Sequence, residues 1–207
     1  MPALQAILFG RPDLTLFGSP QVQAALVEHL VRVAELAAAF GAGVLVFGSP
    51  RNRDRGTLAP DAADDIAADV FGRAAEASER LGVCLCLEPN PPAYGCNYLT
   101  RWREAAALVR RVDRPGLGLH LDVACLAMAG DDAGEALAAS RDIVRHFHVT
   151  EPELGDFLAP KLDHARLGAA VHATGYDGWL SIEMRRPADP ARSVADAVDK
   201  VKRWYGK

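Results

Sequence analysis

No apolar run reaches the roughly 18 residues that a membrane-spanning helix needs, so a membrane protein is not expected. The opening residues, MPALQAILFGRPDL, carry neither a basic leader nor a small-residue cleavage site, and no secretory signal is read there. Cysteine is sparse. Cys84, Cys86, Cys96 and Cys125 fit neither a paired zinc motif nor a dense disulfide framework, which points to a reducing, cytoplasmic compartment. Positive charge is not in excess: the formal net charge is −4, and no nucleic-acid partner is expected. The arginines at 51, 53 and 55, and those between 101 and 114, are expected to be solvated faces. No glycine-rich phosphate loop follows any β-rich run, which weakens a nucleotide-binding reading. No linker or low-complexity tract divides the chain.

What is present is regular. The 207 residues are half apolar, enough for one domain over 1–207 with a sizeable core. Short β-rich runs at Leu4–Phe9, Gly43–Phe47, Val83–Leu87, Leu117–Leu121, Ile143–His148 and Trp179–Ile182 alternate with helical segments. The first helix is the clearest. Ser19 caps it, Pro20 suits its first turn, and Val22, Leu26, Leu30, Val33 and Leu36 follow at helical spacing until Gly41. Further helices are expected at about 61–81, from about 100 to before Asp113, after Asp131–Asp132, at 163–174 and from Asp189 to about Trp204. Six strand–helix units in alternation predict a parallel sheet covered by helices.

In such proteins the site lies at the carboxyl ends of the strands. Four consecutive runs end in a residue able to bind metal: Glu88, Asp122, His148 and Glu183. Strand side chains alternate faces, so Glu88 shares a face with Cys84 and Cys86, Asp122 with His120, His148 with His146, and Glu183 with Ser181. A lone acid at a strand end is usually a surface or capping residue. Four in register directly after apolar runs predict one divalent-metal site. Three carboxylates and one imidazole suit Mn²⁺, Mg²⁺ or Co²⁺, with Zn²⁺ less favoured. Cys84 and Cys86 are expected as small core residues. His120 and His146, one layer lower, are expected in the core or as groups that orient ligands.

At these residues the chain resembles the xylose isomerase-like TIM barrels, and in particular their sugar or sugar-phosphate isomerases and epimerases. Glu88-Pro-Asn, Leu-His-Leu-Asp122, His-Phe-His148-Val and Trp-Leu-Ser-Ile-Glu183 carry the resemblance. Their intervals of 34, 26 and 35 residues, Gly-Tyr-Asp-Gly-Trp before the last run, and Val-Phe-Gly-Ser-Pro at 46–50 add to it. The resemblance implies a metal, usually manganese, held by Glu88, Asp122, His148 and Glu183. It implies a keto sugar or sugar phosphate as partner, converted through a cis-enediolate. Glu88 and Glu183 would move protons on opposite faces of the sugar.

Two departures shape the expectation. A complete barrel has eight units in about 250 residues, whereas six are read here. The first two βα units are expected to be absent, and the exposed edges to pair in a homodimer. Cys125 and Leu154 stand where keto-sugar epimerases often carry His and Arg. Asn90, Glu151 and Arg185 are the candidate substrate-binding replacements, and Arg51 and Arg53 could take an anion. Two rival readings remain. One is a metal phosphoesterase of the apurinic endonuclease type. The other is a non-catalytic shortened barrel that keeps only the outline of the site.

Overall fold

The structure, a computed structural model, describes residues 1–206. In chain order it runs β1 (Ala3–Leu4), α1 (Pro20–Ala39), β2 (Val44–Phe47), α2 (Pro60–Arg80), β3 (Cys84–Leu87), α3 (Trp102–Val112), β4 (Leu117–Asp122), α4 (Val123–Ala129), α5 (Ala133–Ala139), β5 (Val144–Thr150), α6 (His164–Ala173), β6 (Leu180–Glu183) and α7 (Pro190–Tyr205). The strands lie in sequence order, and every neighbouring pair is parallel. Laid flat, six strands at about 4.8 Å spacing would hold their outer edges more than about 20 Å apart. Instead the Gln5 amide, just past β1, donates to the Glu183 carboxylate of β6 at 2.8 Å. The sheet is therefore curled into an incomplete barrel, with its carboxyl ends gathered around one mouth.

Two faces of the sheet have different chemistry. Leu45, Phe47, Leu85, Leu87, Leu119, Leu121, Phe147 and Val149 point outward under the helices and are fully buried. Each such side chain contributes roughly 1.5–3 kcal/mol. Helix α2 answers with Ala63, Ala67, Val70, Phe71 and Ala74 at helical spacing, and Phe71 meets Phe47 edge-on at 5.1 Å. The inner face carries Cys84, Cys86, Glu88, His120, Asp122, His146 and His148.

Local signals set the boundaries. The Ser19 hydroxyl accepts from the Val22 N–H at 3.4 Å, and Gly41, with φ +68°, turns the chain out of α1. The first strand is shorter than expected. Ala6 adopts φ +54°, the Phe9 N–H bonds back to the Ala6 carbonyl at 2.8 Å, and the run leaves the sheet after Leu4. Ile7 and Leu8 still reach the core, so the apolar run marks burial on a turn rather than a strand. Helix α4 was not expected, because VACLAMA has no polar face. It forms because Asp122 caps it, its carboxylate accepting from the Cys125 N–H at 2.7 Å.

Candidate metal centre

The register explains why the four strand ends meet. Asp122 of β4 sits beside His148 of β5, and Glu183 of β6 sits beside Thr150, two residues further on the same face. A shift between Leu119 and His120 skips the exposed Arg145, which keeps His146 and His148 level with His120 and Asp122. Glu88 follows the β3 pairing of Leu87 with Leu119, so its neighbour on β4 is His120.

Glu88, Asp122, His148 and Glu183 each offer a donor atom, and the four atoms lie within 4.8 Å of one another. His148 Nδ1 is 3.2 Å from Glu183 Oε2 and 4.0 Å from Asp122 Oδ2. The first three residues are buried, whereas the Glu183 side chain is 28% exposed and faces the mouth. Thr150 donates its hydroxyl to Asp122 at 2.7 Å and accepts the Ala124 N–H at 3.1 Å, fixing the carboxylate. Gln5 fixes Glu183 in the same way.

Three carboxylates in a desolvated space repel one another and resist ionisation. Burial first, and then the charges of Asp122 and Glu183, raise Glu88 to about 8, against the pull of His148 and Arg53. Burial raises Asp122 as well, although its bonds from Cys125 and Thr150 oppose this. Burial lowers His148, but the Glu183 hydrogen bond and the surrounding carboxylates outweigh it and leave the ring raised. Burial and the neighbouring His148 hold His120 well below its ordinary value, and bring His146 to about 4. His148 and Arg53 do not balance three carboxylates, and a divalent cation supplies the missing positive charge. The residues fit the group: mostly hard oxygen donors with one imidazole, held by supporting hydrogen bonds.

The cluster opens into two adjoining cavities of about 660 and 310 Å³, both reached by Glu88 and Glu183. Asn90 and Arg185 line the smaller cavity together with Cys125 and Leu154. Glu151 does not join them. Its carboxylate is buried and accepts from the Lys161 and Leu162 N–H groups at 2.7 and 3.2 Å and contacts His164 Nε2 at 2.6 Å, while His164 Nδ1 meets the Tyr205 hydroxyl at 2.8 Å. That network ties the β5 loop to α6 and α7, so Glu151 is a scaffold residue, contrary to its expected substrate role.

The solvated-face expectation also fails at Arg53. Its side chain is fully buried and donates to Asn90 Oδ1 at 2.9 Å and to the Phe47 carbonyl at 3.3 Å. Arg51 lines the larger cavity. Tyr94 lines both cavities and was not singled out from the sequence. Nor was Gly48, where a Cβ would fall 1.7 Å from Glu88 Oε2. Only glycine leaves room for that carboxylate, and the Val-Phe-Gly-Ser-Pro motif was the signal for it. Gly48→Ala is expected to displace Glu88 and weaken metal binding about 10- to 100-fold with the fold intact. Calorimetric metal titration beside circular dichroism checks this.

Known proteins share this fold. A profile of the xylose isomerase-like TIM barrels matches residues 8–204. A ketose 3-epimerase from Arthrobacter globiformis is 28% identical over 168 residues, 79% of this chain and 57% of that protein. The chain thus spans little more than half the length of this curated relative. Among solved structures, 3-keto-D-glucoside 4-epimerase from E. coli superposes with a TM-score of 0.80 at 18% identity, covering 98% of this chain and 79% of that one. D-psicose 3-epimerase, crystallised in the presence of D-fructose, gives a TM-score of 0.82 at 16% identity, with 95% and 76% covered. The six parallel βα units are thus a large part of a known barrel, and with nearly its whole length matched the chain belongs to the xylose isomerase-like TIM barrels.

Proposed function

We propose that the protein is a divalent-metal-dependent epimerase or isomerase of a keto sugar or sugar phosphate, with Mn²⁺ the preferred ion at Glu88, Asp122, His148 and Glu183. One observation carries the reading. Two glutamates, Glu88 and Glu183, belong to one candidate metal cluster and both face a cavity large enough for a monosaccharide. The ketose 3-epimerase relative supports the substrate class. Bound there, a divalent cation would supply Lewis-acid polarisation of the sugar's neighbouring oxygens.

The chain's own residues supply the rest. Glu183, partly exposed at the mouth and steadied by Gln5, takes the proton from the carbon beside the keto group. Glu88, on the other side of the cluster, returns one to the opposite face of the cis-enediolate. That sequence inverts one centre; return to the neighbouring carbon gives isomerisation instead. In the metal-free site Glu88 sits near 8, and the charge of an ion acts to lower it towards the range useful for proton transfer. Asn90, held by Arg53, and the exposed Arg185 at the rim bind the remaining sugar hydroxyls or a phosphate. Incorporation of solvent deuterium into a panel of keto sugars and their phosphates, in the presence of Mn²⁺, tests the reading. No incorporation from any of them counts against it.

We further propose that the protein works as a homodimer in the cytoplasm. Among the described residues the outer edges of β1 and β6 are unpaired, and Leu36 of α1, Phe40 just after it, Trp179 just before β6 and Val194 of α7 are exposed apolar side chains. All four cysteines are free and buried, in keeping with a reducing compartment. Light scattering after gel filtration is expected to give twice the chain mass of 22.1 kDa; a stable monomer removes the dimer.

A further inference from the structure

The layer beneath the candidate metal centre is unusual for a barrel. Such layers are normally filled by branched aliphatic side chains. Here His120 and His146 stack at 5.4 Å between ring centroids, both fully or almost fully buried. Among the described residues none of their four ring nitrogens has a hydrogen-bond partner. An unpartnered buried imidazole destabilises a fold, and an apolar residue would avoid that. His146 faces no acceptor. His120 does: its Nε2 is 3.6 Å from Glu88 Oε1, and its ring meets His148 edge-on at 4.1 Å between centroids.

Glu88, His120 and His148 form a second set of donor atoms within 4.8 Å of one another, all three residues buried. Two donors each about 2.1 Å from a tetrahedral ion stand roughly 3.4 Å apart. The separation of Glu88 and His120 is close to that. Resting on the metal reading above, we propose that His120 gives the centre a deeper metal position, Glu88–His120–His148, which takes Zn²⁺ in place of the harder ion held by the outer set. Two imidazoles, one carboxylate and an open fourth place are a donor set that zinc takes readily. Asp122 and Glu183 complete only the outer set, whose extra oxygens suit Mn²⁺.

The two positions exclude each other. Both need His148, and a neutral imidazole offers a single lone-pair nitrogen. Zinc in the deep position therefore keeps the outer one from filling and occupies the Glu88 carboxylate. The choice of ion sets whether the centre faces the sugar.

Crossed variants test this on the whole chain after chelation, with Zn²⁺ and Mn²⁺ titrated separately by calorimetry. His120→Leu is expected to lose at least roughly 10- to 100-fold in Zn²⁺ affinity, the typical cost of losing even a supporting group, and to keep its Mn²⁺ affinity. It is also expected to melt at a higher temperature without metal, because an unpartnered ring is gone. Asp122→Asn is expected to show the reverse preference, losing Mn²⁺ and keeping Zn²⁺. Cobalt gives an independent readout: the visible band of four-coordinate Co²⁺ should grow in Asp122→Asn and vanish in His120→Leu. Unchanged Zn²⁺ affinity in His120→Leu, or equal loss of both ions in Asp122→Asn, overturns the deep position while leaving the outer site standing. Failure of the unaltered chain to bind either ion overturns both. If His120→Leu does not fold, the Asp122→Asn arm and the cobalt band still decide.

Discussion

Glu183→Gln is expected to lower solvent deuterium incorporation into the substrate sugar by about 10²–10⁴, the usual contribution of a positioned acid or base. Glutamine keeps the size of the side chain and can still accept from Gln5, so the fold should survive. The residue has two proposed tasks, and they separate experimentally. Glu183 is only one of four donors and the most exposed of them. Excess Mn²⁺ should therefore refill the variant, as elemental analysis will show. A refilled variant without exchange establishes the proton-transfer role; one that regains exchange clears Glu183 of it. Glu88→Gln should lose activity to a similar extent and bind metal more weakly, because Glu88 is a buried donor of the cluster.

The metal-free protein is expected to lose roughly 2 kcal/mol of stability between pH 6.5 and about 8. The sign follows from proton counts. In the unfolded chain Glu88 is ionised above its model value of 4.5, whereas in the fold it keeps its proton until about 8. The folded state then binds more protons, and stability falls as pH rises through that window. His148 acts in the same direction, since its folded value is raised and its contribution fades as it deprotonates. His120 and His146 act oppositely but lower, because their folded values lie below 6.5 and their effect is on the acid side. A divalent cation should reverse the alkaline loss. At 100 times its dissociation constant an ion adds about 2.7 kcal/mol, or roughly 5–11 °C in melting temperature for a domain of this size. Melting curves at pH 6.5 and 8, with chelator and with Mn²⁺, measure this. A metal-free protein no less stable at pH 8, or no metal shift, contradicts the electrostatic account.

Much of this was legible in the sequence because strand periodicity and strand-end chemistry coincide. Glu88, Asp122, His148 and Glu183 each follow an apolar run, and a period of two puts each on the face of its preceding partner. The departures at Cys125 and Leu154 were visible too, and both residues line the smaller cavity. What stayed hidden depends on contacts between distant segments. Arg53 looked like part of a solvated charge run, yet the chain carries it inside to Asn90. Glu151 follows the His148 strand and looked suited to substrate, but His164 and two backbone N–H groups occupy its carboxylate. The bond from Gln5 to Glu183 joins residues 178 apart and exists only because the sheet curls. Helix α4 was missed because its sequence is apolar on all sides, as a buried strand would be.

The proposed function rests on four strand ends holding one ion. Manganese titration of the chelated protein, followed by electron paramagnetic resonance beside Asp122→Asn, tests it most directly. Asparagine still caps α4, so the variant should fold. One Mn²⁺ per chain is expected in the unaltered protein, with binding weaker by at least about 10- to 100-fold in the variant. No bound manganese, or equal affinity in the two proteins, would contradict it.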